Sequence, residues 1–321
     1  MKFSQREEQR GERLLDVLTD EENGFRLIVS RLGAELISVA RRNADGEWIG
    51  FLNRDNELAP PEKGWANHST VMGYFLHRIK NERTFYRGKE MRGGTHSFLR
   101  GKVWHLVDRA VAAGVSPAKN PLTPNELTYR ITPEDFSATE YPLKVSLDLT
   151  YRIEGSRLSV QFKFKNDEPE LTAHVGFGLH PGFAATSFDS FRFEMPPGLY
   201  RRHFSPTNYL SGETQDIQFA GGEMPFARET LPGSYILELV DVPNRNFTYT
   251  DPPSGRTVVT DLTGVPYLTL WSDGGPFLCV EPCWGLTDHL EQRAFEDKEG
   301  IQPVPAGQEL VASFTIEPSS A

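Results

Sequence analysis

From Val145 to Lys165 the chain alternates apolar and polar residues with a period of two, and this pattern decides its fold class. Val145, Leu147, Leu149, Tyr151 and Ile153 interleave with Ser146, Asp148, Thr150 and Arg152. Leu158, Val160, Phe162 and Phe164 then interleave with Ser159, Gln161, Lys163 and Lys165. Successive side chains of a strand point to opposite faces, so each run predicts a strand with one buried face. Glu154-Gly155-Ser156 between them predicts the tight turn of a hairpin.

Weaker signals of the same kind recur at Phe25–Val29 with Glu35–Ala40, at Phe191–Glu194, and at Tyr235–Val240 with Asn246–Thr250. They continue at Thr257–Asp261, Tyr267–Trp271 and Glu309–Ile316. Helical periodicity is scarce, and the 28 glycines and 23 prolines are scattered as turn punctuation rather than gathered in a linker. Ala113–Asn125, with Gly114, Pro117, Pro121 and Pro124, reads as a long surface connection, because strand patterning continues on both sides. The expectation is an all-β protein, a large antiparallel β-sandwich of many short strands, forming one domain over residues 1–321.

A formal charge of −10 argues against a polyanionic partner, since nucleic-acid binding needs basic surface to displace counterions. The polar stretch Met1–Arg13 lacks the apolar run of a signal peptide, and no later segment is apolar enough over the length needed to span a bilayer. A cytoplasmic location is the default expectation. Only Cys279 and Cys283 are present, at a spacing that suits neither a zinc site nor a disulfide framework, so they are expected to be buried thiols.

Two segments carry the candidate chemistry. In Phe277-Leu278-Cys279-Val280-Glu281-Pro282-Cys283-Trp284-Gly285 an apolar run meets a carboxylate followed by proline. In Gly176-Phe177-Gly178-Leu179-His180-Pro181-Gly182-Phe183 a similar run meets a histidine followed by proline. Proline lacks an N–H, so both strands are expected to end there, with Glu281 and His180 fixed at strand ends and aimed into a cleft. A fixed carboxylate and a fixed imidazole suffice for general acid–base chemistry. A metal site of His77, His96, His180 and Glu281 is chemically admissible but lacks short-range ligand spacing. A glycoside hydrolase needs two positioned carboxylates, and only Glu281 stands out. The remaining reading pairs Glu281 as base with His180 as acid, while His96 and Arg78 hold a hydroxylated substrate. Trp271 or Trp284 would offer an apolar face to a sugar ring, or else pack in the core.

The order of these motifs resembles that of the aldose 1-epimerases, the galactose mutarotase-like proteins. Gly73-Tyr74-Phe75-Leu76-His77-Arg78-Ile79 is similar to the family's Gly-x-x-x-Asn-Arg-Ile, with His77 in place of asparagine. His96-Ser97-Phe98-Leu99-Arg100, followed by Trp104, is similar to its His-Gly-Phe/Leu-Leu-Arg segment, with Ser97 in place of glycine. His180-Pro181-Gly182-Phe183, Ser254-Gly255-Arg256 and Glu281-Pro282 follow in the family's order. The resemblance implies a mutarotase-like supersandwich and an isomerase that interconverts the anomers of a hexose. It also implies Glu281 as catalytic base, His180 as catalytic acid and Arg78 as a sugar-binding residue. No cofactor or metal is implied; the partner is a small sugar, with neither nucleic acid nor membrane, in a monomer or homodimer. One departure stands out. The family's sugar-binding aspartate has no counterpart around Gly233-Ser234-Tyr235-Ile236, and Asp241 sits differently relative to the Ser-Gly-Arg turn. The chain is therefore similar to a divergent bacterial branch. A carbohydrate-binding protein without turnover and a mutarotase of phosphorylated hexoses are the alternatives, the latter drawing on Arg83, Arg87 and Lys89.

Overall fold

A computed structural model describes residues 2–107, 124–226 and 231–320. Its regular structure is strand, apart from short 3-10 turns, and every strand pairing is antiparallel. The hairpin read from the alternation is present: Val145–Glu154 pairs with Arg157–Asn166, closed at Glu154 and Arg157 around Gly155. Gly155 has φ +64°, a conformation that side-chain-bearing residues rarely adopt. The long connection expected at 113–125 lies largely outside the described residues.

A nine-stranded sheet and an eight-stranded sheet supply the sandwich, and a five-stranded sheet of the first fifty residues packs beside them. The hairpin belongs to the nine-stranded sheet, whose inward Leu147, Leu149, Tyr151, Val160, Phe162 and Phe164 are fully buried. Facing them, the eight-stranded sheet contributes Phe177, Leu179, Leu268, Leu270, Leu278 and Val280 to the same core. The first strand, Phe3–Arg10, which the alternation did not mark, pairs along its length with Arg13–Asp20.

The prolines behave differently from expectation. The strand Ala173–Ala184 runs straight through His180-Pro181, and Phe277–Trp284 runs straight through Glu281-Pro282. The two strands are neighbours, with Gly178 opposite Cys283 and Gly182 opposite Cys279. Between those pairs the ladder opens, so the N–H groups that Pro181 and Pro282 lack are not required there. Glu281 and His180 therefore sit in the middle of strands, not at their ends.

Candidate active site

Alternation sends residues 268, 270, 278 and 280 to the core, and so sends Thr269, Trp271, Cys279, Glu281 and Cys283 to the opposite face. On the same principle His180 shares that outer face with Gly176, Gly178 and Gly182. Register does the rest. Ile236 lies opposite Thr269, Thr269 opposite Glu281, and His180 opposite Thr70, while the Gly178 and Gly182 pairings bring residue 180 across from residue 281. Side chains a hundred residues apart thus form one row across five adjacent strands. His180 Nε2 lies 3.2 Å from Glu281 Oε1.

The glycines beside His180 leave room for what covers it. A Cβ at Gly182 would lie 2.5 Å from the Trp65 ring, and one at Gly178 would lie 2.4 Å from the carbonyl oxygen of Pro282. With no side chain at 182, Trp65 stacks on the His180 imidazole, with ring centroids 4.9 Å apart and planes at 28°. Trp65 is held by its backbone N–H, which donates to Asp273 Oδ2 at 2.8 Å. Trp271 meets both rings edge-on, 5.9 Å from Trp65 and 5.7 Å from His180.

Two loops close the other side. His77 and His96 both have left-handed backbones, at φ 54° and 62°, and the His96 N–H donates to the His77 carbonyl at 2.7 Å. Their rings stand 5.6 Å apart, and His96 lies 5.2 Å from His180. Arg78 is anchored through its backbone carbonyl, which accepts from the Asp288 N–H at 3.0 Å, and its guanidinium donates to Thr95 Oγ1 at 3.1 Å.

Together these groups enclose a cavity of about 300 Å³, the small end of the range for ligand sites. Glu281, His180, His96, Arg78 and Trp271 all line it, with Trp65, His77, Arg100, Asn208, Ser234 and others. Trp284 does not; it stacks on Phe177 in the core at 5.0 Å. Ser254-Gly255-Arg256 is also absent from the lining, and Arg256 donates to the carbonyl of Gly50. Asp241 does not line the cavity: it is the last residue of the strand Tyr235–Asp241, at the opposite end from the lining residues Ser234 and Ile236. Trp65, Asn208 and Arg100 were not singled out from sequence. Trp65 and Asn208 come from irregular loops, where no periodicity marks a residue, although the bare Gly182 is a trace of a large neighbour.

Burial governs the electrostatics. Glu281 is 1% exposed and His180 5% exposed. Loss of water pushes the Glu281 carboxyl well above the usual carboxylate range and lowers the His180 imidazole to about 3, helped by His77 nearby. His77 falls to about 4 through burial and the Arg78 charge, and His96 falls well below its usual value through burial and its histidine neighbours. Both shifts favour the uncharged forms, so they place the acidic proton of the pair on Glu281. This differs from the charged Glu281 and protonated His180 expected of a working state, but both forms hold the same single proton. Ring nitrogen Nδ1 of His180 and Nδ1 of His96 are buried without partners, as is Glu281 Oε2, which leaves bonding capacity for a ligand.

Donor atoms of His77, Glu281 and Cys283 lie within 4.8 Å of one another, as do those of His180, Cys279 and Glu281. Either group suits a thiophilic divalent ion. Both would use Glu281, and neither includes the His96 of the four-residue metal set weighed from sequence. The two cysteines are free and buried. Among the described residues no helix is long and apolar enough to cross a membrane.

Comparison with known proteins agrees with this architecture. Protein LacX of Lactococcus lactis subsp. lactis, in plasmid and chromosomal versions, is 24% identical over 297 residues, covering 84% of this chain and 92% of the relative. The solved galactose mutarotase related enzyme of Lactobacillus acidophilus superposes with a TM-score of 0.79 at 21% identity, covering 95% of this chain and 97% of that one. A galactose mutarotase-like protein of Lactobacillus casei gives 0.78 at 22% identity, over 94% of this chain and 100% of that one. These structures share the fold. The family model described as aldose 1-epimerase matches residues 16–283, and the chain belongs to the aldose 1-epimerase family.

Proposed function

We propose that the protein is a mutarotase, interconverting the α and β anomers of an aldose by general acid–base ring opening and closure. The observation that carries this reading is the 3.2 Å contact between His180 Nε2 and Glu281 Oε1 at the floor of a sugar-sized cavity. Glu281, as carboxylate, takes the proton from the O1 hydroxyl. His180, as imidazolium, gives its proton to the ring oxygen while the C1–O5 bond breaks and the C1–O1 bond becomes a carbonyl. Rotation about C1–C2 presents the other carbonyl face, and the two groups reverse roles as O5 re-attacks C1. Protons and electrons balance within the sugar and the pair, so no cofactor enters. Each positioned group supplies on the order of 10²–10⁴-fold. Trp65 and Trp271 give the ring an apolar face, and Arg78 and His96 bind its hydroxyls.

A binding protein without turnover gains nothing from burying a carboxylate oxygen that has no partner, because such burial costs stability. Phosphorylated aldoses remain the second reading, favoured by a different cation set from the one weighed from sequence. Arg83, Arg87 and Lys89 are absent from the cavity lining, and Arg87 donates to the carbonyl of Thr172. Arg78 and Arg100, both exposed, stand at the cavity instead, and among the described residues Glu281 is its one carboxyl group. A panel of free and 6-phosphorylated aldoses, followed by polarimetry and exchange NMR, tests both readings. Acceleration of free α-glucose or α-galactose supports the first, and acceleration confined to the phosphorylated sugars supports the second. Calorimetric binding with no acceleration of any sugar contradicts both.

A further inference from the structure

A second cavity, of about 380 Å³, shares no lining residue with the first. Three arginines line it, Arg26, Arg54 and Arg256, together with Trp48, Gly50 and Asp55. The Ser254-Gly255-Arg256 turn, which has no part in the catalytic cavity, has its place here: Gly255 turns with φ 69° and Arg256 follows. Arg26, Ala40 and Gly50 are partners in one row across three strands, so only small side chains stand beside Arg26 on the Gly50 side. The three guanidinium groups differ in what they already hold. Arg54 donates to the carbonyls of Ala59 and Ala66 and is committed to its own loop. Arg256 Nε donates to the Gly50 carbonyl at 2.8 Å, and its Nη1 stands 4.0 Å from Asp251 Oδ2, an oxygen that already accepts from Thr186 and Ser254. Arg26 is the exception. Its guanidinium lies 4.4 Å from the Trp48 ring, its Nε is buried without a partner, and it makes no hydrogen bond or ion pair with the described residues. Burial disfavours its charge, and Asp55 offsets this only in part. The Asp55 carboxylate is itself engaged, accepting from Ser38 Oγ at 2.7 Å and from the Val39 N–H at 3.1 Å.

We propose that this cavity is a binding site for a small phosphate-class anion, held by Arg26 and Arg256 with Arg54 adding its charge. A guanidinium has five donors and no acceptor, so the unpartnered Arg26 needs what an oxyanion supplies. Planar guanidinium forks suit phosphate oxygens, and charge-assisted bonds of this kind are the strong ones. The contact with Trp48 holds the Arg26 guanidinium in place before an anion arrives, so little ordering is left to binding. The chain as a whole carries −10, so the field that draws the anion is local to the three arginines. This site is separate from Glu281 and His180 and stands whether or not the sugar chemistry does.

Its test is calorimetric titration and thermal unfolding of the full chain, with inorganic phosphate as probe and chloride at equal ionic strength as control. Phosphate at about ten times its Kd is expected to raise the wild-type midpoint by about 2 °C, and chloride to leave it unchanged. Arg26→Met and Arg256→Met are each expected to weaken phosphate binding about tenfold or more. Arg26→Met removes no hydrogen bond, so its midpoint without phosphate is expected to match or exceed that of the wild type, which separates loss of the anion from loss of folding. Arg78→Met, at the catalytic cavity, is expected to keep the phosphate response. Titration of Arg78→Met with glucose 6-phosphate separates the sources of the anion. Binding tighter than inorganic phosphate marks a sugar-borne phosphate, and weaker binding marks the free ion. No phosphate response in the wild type, or an equal response to chloride, overturns the proposal. So does a response that survives in Arg26→Met and is lost in Arg78→Met, which would put the anion at the catalytic cavity and favour the phosphorylated-aldose reading instead.

Discussion

Trp65 lies over the His180 imidazole at a centroid distance of 4.9 Å, in space that opens only because residue 182 is glycine. Replacing Gly182 by alanine would put a methyl group 2.5 Å from the indole and push it aside. An offset-stacked ring pair is worth about 0.5–1.5 kcal/mol beyond its buried area. Trp65→Ala and Gly182→Ala are therefore expected to lower kcat/KM by a few-fold to about tenfold, with little change in the urea midpoint. Polarimetric rates alongside denaturation curves check this. Equal rates in the wild type and both variants would show that the stack has no part in catalysis.

The pH dependence follows from the proton count of the buried pair. Between the His180 titration near 3 and the raised titration of Glu281, the free pair holds one acidic proton. Falling pH adds a second proton to His180 and leaves no base. Rising pH removes the proton from Glu281 and leaves no acid. The kcat/KM profile is therefore expected to be flat through neutral pH, with limbs that belong to the coupled pair rather than to either residue. An exposed carboxylate and imidazole would instead show limbs at about 4.3 and about 6.5. A limb near the latter value, in initial rates of optical-rotation change, would count against the buried neutral pair.

The Arg78 loop hangs on an ion pair of a different kind. Lys298 Nζ lies 2.5 Å from Asp288 Oδ1, with side chains 7% and 0% exposed, and the Asp288 N–H holds the Arg78 carbonyl. Lys298→Met leaves the aspartate buried with only the backbone N–H groups of Lys80 and His289. Losing one partner of a buried pair costs about 3–5 kcal/mol. Lys163→Met, which breaks the exposed pair with Glu309, is expected to cost about 1 kcal/mol or less. Urea midpoints separate the two cases, and Lys298→Met is also expected to raise KM through the displaced Arg78.

Much of this molecule could be read from its sequence where side chains alternate. The Val145–Phe164 hairpin was legible because half-buried strands write their burial in period two. The Glu281 and His180 segments were legible because a charged or titratable residue interrupting an apolar run must have somewhere to point. Their prolines misled, since the rule that proline ends a strand assumes that every ladder hydrogen bond is needed, and here the ladder opens between Gly178 and Gly182. Fully polar or mixed edge strands such as Phe3–Arg10 carry no clean period, because their burial alternates only between partial and none. Trp65 and Asn208 reach the cavity from loops whose course depends on distant contacts, such as Trp65 with Asp273 across the chain. Arg100 closes the His96-Ser97-Phe98-Leu99-Arg100 segment, yet only the assembled cavity distinguishes it from a solvated arginine.

Everything in the proposed chemistry passes through the Glu281 carboxylate, so Glu281→Gln is the most direct test. The amide nearly matches the carboxyl in shape and cannot accept the O1 proton. Freshly dissolved α-glucose and α-galactose, or the sugar the panel identifies, would be followed by polarimetry with wild type and variant at equal concentration. The expected result is a wild type that speeds the change in optical rotation and a folded variant that leaves it at the spontaneous rate. A folded Glu281→Gln protein with wild-type turnover would contradict the account.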